Sequence, residues 1–153
     1  MESKLLTGIQ ALVDIQDEWN ALWLRADVTY PGSRAENIAI WMQQFEPDRE
    51  LKLVTAWEQE RLVAALPLYD KARKLGTAVW SLTCNCWADA GDLLLDPEHP
   101  SQDLCKALVS VLDKDVWSLL KLKSIPTGTS RWHSFIGALR SNGHRLRLSL
   151  IHI

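Results

Sequence analysis

Residues 61–69, Arg-Leu-Val-Ala-Ala-Leu-Pro-Leu-Tyr, carry a single charge and are otherwise almost wholly apolar. The run is far short of the roughly 20 apolar residues that span a bilayer. It reads instead as a strand covered on both faces, and so as the centre of a sheet. Pro67, near its end, has no N–H to give a neighbour, which points to a bulge or to the strand leaving its ladder there. Just before this run, Leu51, Leu53, Thr55 and Trp57 alternate with Lys52, Val54, Ala56 and Glu58, the period of a strand. Only the polar turn Glu58-Gln59-Glu60 separates the two, so they form an antiparallel hairpin.

Upstream the period is helical. Residues 5–13 are weakly patterned and open as a strand. Asp14 is placed to cap a helix whose apolar face is Trp19, Leu22, Trp23 and Ala26. Tyr30-Pro31-Gly32 is turn chemistry. Ser33, with Glu36 three residues on, is a capping box for a second helix. Ile38, Trp41, Met42 and Phe45 form its inner face, and Pro47 ends it. After the hairpin, residues 70–74 read as a charged connection, 75–84 as a third strand and 91–95 as a short fourth. A helix follows over 101–112, with Leu104, Leu108, Val111 and Leu112 inward. Residues 116–125 alternate as a strand until Pro126-Thr127-Gly128 breaks it. Residues 130–140 make a last helix that Asn142-Gly143 terminates, and 144–153 read as a final strand.

Two helices, an antiparallel meander and then helix–strand–helix–strand imply an α/β fold with a mixed, mostly antiparallel sheet flanked by helices. The 153 residues are 47% hydrophobic and 24% charged, which suits one globular domain and argues against disorder. The net charge of -2 leaves no basic excess to neutralise phosphates, so no nucleic-acid partner is expected. No transmembrane run and no charged start leading into an apolar stretch is present, and a cytoplasmic location is expected. Three cysteines are too odd a count for a disulfide framework. The Cys84-x-Cys86 pair lacks the four ligands and the spacing of a zinc site, and no metal is expected. The thiols read as reduced, with Cys84 and Cys86 on one face of a strand and Cys105 on a helix.

Several segments resemble a known family. They are the helix motif Trp19-Asn20-Ala21-Leu22, the second helix centred on Trp41, the run 61–69, and Asp89-Ala90-Gly91-Asp92-Leu93-Leu94-Leu95-Asp96-Pro97-Glu98. With the element order, they are similar to the GNAT acyltransferases. The finer likeness is to the N-terminal half of the FemAB-like, CelD (BcsL) branch, whose members carry two GNAT-like halves in tandem. The resemblance covers nearly the whole chain, its motifs are not catalytic, and the run 61–69 is its most specific part. It implies transfer of an acyl group from acetyl-CoA or another acyl-CoA to an amine or hydroxyl, with a link to cellulose and other exopolysaccharides. It also implies a C-terminal GNAT half as partner and a polysaccharide precursor as a possible one.

An acyl-CoA enzyme of this kind grips a diphosphate with a glycine-rich turn at the start of the helix after the central strand. The corresponding stretch here, residues 96–103, has no glycine, two prolines without N–H donors and three carboxylates. Arg/Gln-x-x-Gly-x-Gly/Ala is absent there. The single look-alike, Arg73-Lys74-Leu75-Gly76-Thr77-Ala78, precedes a strand and not a helix. Arg73 and Gly76 are therefore the only cofactor-binding candidates, against a plain charged turn, and no cofactor is expected to bind this chain alone. Asp89 and Asp92 bracket Gly91 and are the catalytic candidates, for binding an amine or taking a proton. The plainer alternative, which we prefer, is a turn whose aspartates accept backbone N–H bonds. His99 reads as a solvated or capping residue, and His133 stands near the start of the last helix.

Eight tryptophans are many for this length. Trp19, Trp23 and Trp41 fall on faces already read as core. Trp57, Trp80, Trp87, Trp117 and Trp132 lie on strands or their ends, where some could stack on sugar rings or meet a partner domain. The last six residues, Leu148-Ser149-Leu150-Ile151-His152-Ile153, resemble the translation of a transposon-end adapter used in sequencing. The expectation is a GNAT-like N-terminal domain over 1–147, an adapter-derived tail over 148–153 and a missing catalytic half. Alternatives are a stand-alone module that binds a glycan or protein, and a compact acyltransferase with an unusual CoA loop.

Overall fold

A computed structural model describes residues 1–74, 76–115, 117–147 and 149, with residues 72–74 described in their backbone only. In chain order the elements are β1 (Glu2–Thr7), α1 (Ile9–Asp14), α2 (Gln16–Arg25), a 3-10 turn (Pro31–Ser33) and α3 (Ala35–Phe45). Then come β2 (Leu51–Glu58), β3 (Arg61–Lys74), β4 (Thr77–Leu82), β5 (Leu94–Leu95), α4 (Ser101–Leu112), β6 (Leu119–Lys121) and α5 (Ser130–Ser141). The sheet runs β1-β2-β3-β4-β6, with β5 also on β3. Among the described residues only the β4–β6 pair is parallel.

The apolar run does become the middle of the sheet. Leu62, Val63, Ala64, Ala65, Leu66 and Leu68 are all buried, because both faces of β3 are covered. On one face Val54, Leu66, Leu68 and Trp80 meet Leu104 and Leu108 of α4 and Trp132 and Phe135 of α5. On the other, Leu51, Leu53, Ala65 and Tyr69 meet Trp19, Leu22, Ile38 and Trp41 from α2 and α3. The period-two alternation of β2 sorts its side chains between these two cores.

Several boundaries differ from expectation for physical reasons. Residues 70–74 are not a connection: β3 continues through them with a bulge between Asp70 and Ala72, paired with β4. Asp14 does not cap a helix. It ends α1, where its carboxylate accepts a bond from Gln10 at 2.8 Å. The capping box of Ser33 and Glu36 does not form either. Asn20 of α2 takes the Ala35 N–H at 3.0 Å and donates to Glu36 at 2.9 Å, and the buried Ser33 hydroxyl has no partner among the described residues. The β6 strand has three residues rather than ten, and Val116 lies outside the described residues. Residues 144–147 run without strand pairing; of the expected tail, all but residue 149 lies outside the described residues. Gly143, at φ +83°, ends α5 as expected.

β4 and β5 lie along the same edge of β3. Leu82 stands opposite Leu68, a register that would put residue 85 opposite Ala65. Leu94 is there instead, so nine residues are looped out. The gap falls at Pro67, whose ring needs no ladder partner. Gly91 closes the base of the loop at φ +93°, where a Cβ would stand 2.5 Å from both the Pro67 ring and the Thr83 hydroxyl. Cys84 and Cys86 belong to this loop and not to one strand face: Cys84 is buried and Cys86 exposed.

Candidate functional site

The junction from β5 to α4 is the turn in which the resemblance to the GNAT acyltransferases would seek a diphosphate grip. Its backbone is anchored by the Asp96 N–H on the Val63 carbonyl at 2.8 Å. The Asp96 side chain is fully shielded from solvent. Its Oδ2 accepts Arg25 Nε at 2.7 Å and Arg61 Nη2 at 2.8 Å, while Oδ1 accepts the Glu98 N–H at 3.1 Å. Arg25 also reaches the Leu62 carbonyl, Arg61 pairs with Glu98 at 2.7 Å, and His99 pairs with Glu58 at 3.0 Å. Burial pushes the Asp96 carboxyl up. The Arg25 bond, the Glu98 N–H and the charges of Arg25 and Arg61 outweigh burial and hold it below the ordinary carboxylate range. A carboxylate of the protein thus takes an amide and two guanidinium groups that an incoming phosphate would need. The obstacle is occupancy more than the bare repulsion that the acidic composition suggests.

The two aspartates singled out in the sequence are not brought together. Asp92 turns inward. Its Oδ1 accepts the Leu93 N–H at 2.7 Å and Trp132 Nε1 at 2.8 Å, and its Oδ2 accepts Arg131 Nη2 at 2.8 Å. Arg131 also donates to Asp27 at 3.1 Å. Both carboxylate oxygens of Asp92 are thereby engaged in tying the looped-out segment to the first turn of α5. Asp89 is exposed, bridges Cys84 through its backbone, and lines a surface depression of about 310 Å³ with Tyr30, Asn85, Cys86, Trp87 and Ala88.

Arg73 and Gly76 stand elsewhere again. Arg73 pairs with Ala78 at the β3–β4 hairpin, and Gly76 supplies its turn at φ +81°. The junction is anchored at Val63, ten residues away along β3, which is roughly 33 Å of strand. The pair therefore does not meet the helix start it would have to serve.

Three other titratable groups are shut away. Burial pushes the Cys105 thiol up to about 12. Burial and then the Glu46 charge push the Tyr69 hydroxyl up to about 12, and burial and then Asp89 raise Cys84. His133 is exposed beside Lys106 on a cavity of about 340 Å³ between α4 and α5. Among the described residues no group of three or more His, Cys, Asp or Glu is placed to hold a metal.

Sequence reasoning missed Arg25, Arg61 and Arg131. One signal was available: a cation in the first turn of a helix opposes the helix dipole, so Arg131 gains from carboxylate partners.

No protein-family model matches the chain, and no curated protein does. Solved structures do match over essentially the whole chain. A ribosomal-protein-alanine N-acetyltransferase from Brucella melitensis biovar Abortus 2308 is 16% identical at a TM-score of 0.56, covering 100% of this chain and 99% of its own. An aminoglycoside acetyltransferase from an uncultured soil metagenomic sample is 12% identical at 0.58, covering 99% and 93%. A possible acetyltransferase from Clostridium difficile 630 is 10% identical at 0.51, covering 100% and 97%. The chain has the GNAT acetyltransferase fold, α/β with a mixed six-stranded sheet flanked by helices. Among the described residues no helix is long and apolar enough to cross a membrane.

Proposed function

We propose that this chain is a GNAT-fold domain that has lost its own acyl-CoA grip and works beside a catalytic domain of the same fold. That partner moves an acyl group from an acyl-CoA to an amine or hydroxyl, in the cytoplasm and during assembly of an exopolysaccharide such as cellulose. The observation that carries the reading is the filled junction, where Asp96 occupies the Glu98 amide, Arg25 and Arg61. Two prolines remove further donors from the same turn. The tandem arrangement and the saccharide acceptor rest on the resemblance to the FemAB-like, CelD branch.

A second reading has one feature in its favour. The cavity between α4 and α5 offers Lys106 and His133, which could hold phosphates away from the turn and make the chain a compact acyltransferase. Isothermal titration with acetyl-CoA decides between them. The proposed function gives no heat at high micromolar concentrations of ligand; saturable heat with one site per chain overturns it in favour of the second.

A further inference from the structure

The connection from β4 to β5, residues 83–93, is held at almost every point except one. Trp41 Nε1 donates to the Ala88 carbonyl at 3.0 Å, and the Gly91 N–H reaches the Gly32 carbonyl at 3.2 Å. The Asn85 side-chain oxygen accepts the N–H groups of Trp87 and Ala88, each at 2.8 Å. The Ala90 N–H bonds the Thr83 carbonyl at 2.8 Å. What this frame presents is the Trp87 indole, 85% exposed. The other tryptophans behave differently. Six of the eight donate their indole N–H inside the protein, and Trp80 is buried in the core. The loop's own bonds thus hold this one large aromatic ring out in water, beside a depression.

The surroundings specify the chemistry of a ligand. Tyr30, half-exposed, stands across the depression from the loop, and Asp89 adds an exposed carboxylate with no ion pair among the described residues. Among the described residues no cation lines the depression. Flat aromatic surface favours a ligand with a flat apolar face. An ionised carboxylate is an acceptor only, so it favours a ligand rich in O–H donors, and without a cation beside it an anionic ligand is repelled. A neutral pyranose whose hydroxyls are all equatorial has this character, with C–H groups on its two faces and donors around its edge.

We propose that this depression binds a neutral β-linked glucan, one ring stacked on Trp87 and its hydroxyls donating to Asp89. The proposal deepens the reading above by giving its saccharide acceptor a place, and acetyl-CoA plays no part in testing it, so the two fail separately. The test is saturation-transfer NMR on cellohexaose with the full chain and its variants, their folding checked by circular dichroism. The wild type transfers saturation to the ring C–H protons. Trp87→Phe keeps the transfer with affinity lowered several-fold, Trp87→Ala loses it, and Asp89→Ala weakens binding at least several-fold. Hexagalacturonate competes poorly. Absence of transfer with the wild type, or equal transfer with Trp87→Ala, overturns the proposal.

Discussion

Replacing Asp96 by alanine tests the junction's energetics. The carboxylate is fully shielded and accepts three protein hydrogen bonds, from Arg25 at 2.7 Å, Arg61 at 2.8 Å and the Glu98 amide at 3.1 Å. Truncation leaves Arg25, whose side chain is 25% exposed, with the Leu62 carbonyl and a fraction of its hydration. The Arg25 and Glu98 bonds both end on the charged carboxylate, and such a bond contributes about 1.5–3 kcal/mol. Arg61 is wetter and its contribution is left out. Because the cluster lies just beneath the surface, the low end applies, and Asp96→Ala should cost about 3 kcal/mol, with Asp96→Asn near half of that. In urea the midpoint should fall by roughly 1–2 M for the alanine variant. The pH dependence is fixed in sign. Because the folded carboxyl lies below its unfolded value of about 3.9, its stabilisation is present above that pH and is lost as pH falls through the folded value. Wild type and Asp96→Asn should therefore differ at neutral pH and converge in acid. A loss under about 0.5 kcal/mol, the level of an ordinary surface change, or a gap that persists undiminished in acid, would refute the reasoning.

Three further outcomes follow from named contacts. Gly91→Ala should destabilise by about 2 kcal/mol or more in urea melts, since a Cβ there meets Pro67 and Thr83 at 2.5 Å with φ at +93°; a neutral result would mean the loop base is not closed as described. Ser33→Ala should be neutral or slightly stabilising, because its buried hydroxyl has no partner among the described residues, whereas a working capping box would lose about 1 kcal/mol. With a thiol reagent at neutral pH, Cys86 should react quickly and Cys84 and Cys105 only on unfolding; three fast thiols in the native protein would contradict their burial.

The contrast between what the residues foretold and what the fold adds has a physical pattern. The hairpin of β2 and β3 and the inner face of α4 were legible because burial imprints a period on consecutive side chains. The prolines and acids of the junction were also legible. The arginines that complete it were not: Arg25 is seventy-one residues from Asp96 and Arg131 thirty-nine from Asp92, and no local pattern records such a pairing. Nor did the sequence show that Asn20 of a neighbouring helix would displace Ser33 as a cap. The extension of β3 through residues 70–74 was hidden for a different reason. Charged side chains at a strand end look the same as a solvated turn, and only the pairing with β4 distinguishes them. The candidate aspartates share one loop, yet alternation about Gly91 could not reveal that Asp92 turns inward while Asp89 stays in water.

Amide NMR of the chain titrated with millimolar coenzyme A addresses the filled junction itself. The account predicts that the N–H resonances of Glu98, Ser101, Gln102 and Asp103 stay where they are, because the Asp96 carboxylate already holds the turn. Saturable shifts clustered on those four amides would mean that a diphosphate displaces it, and the chain would then have an acyl-CoA site of its own.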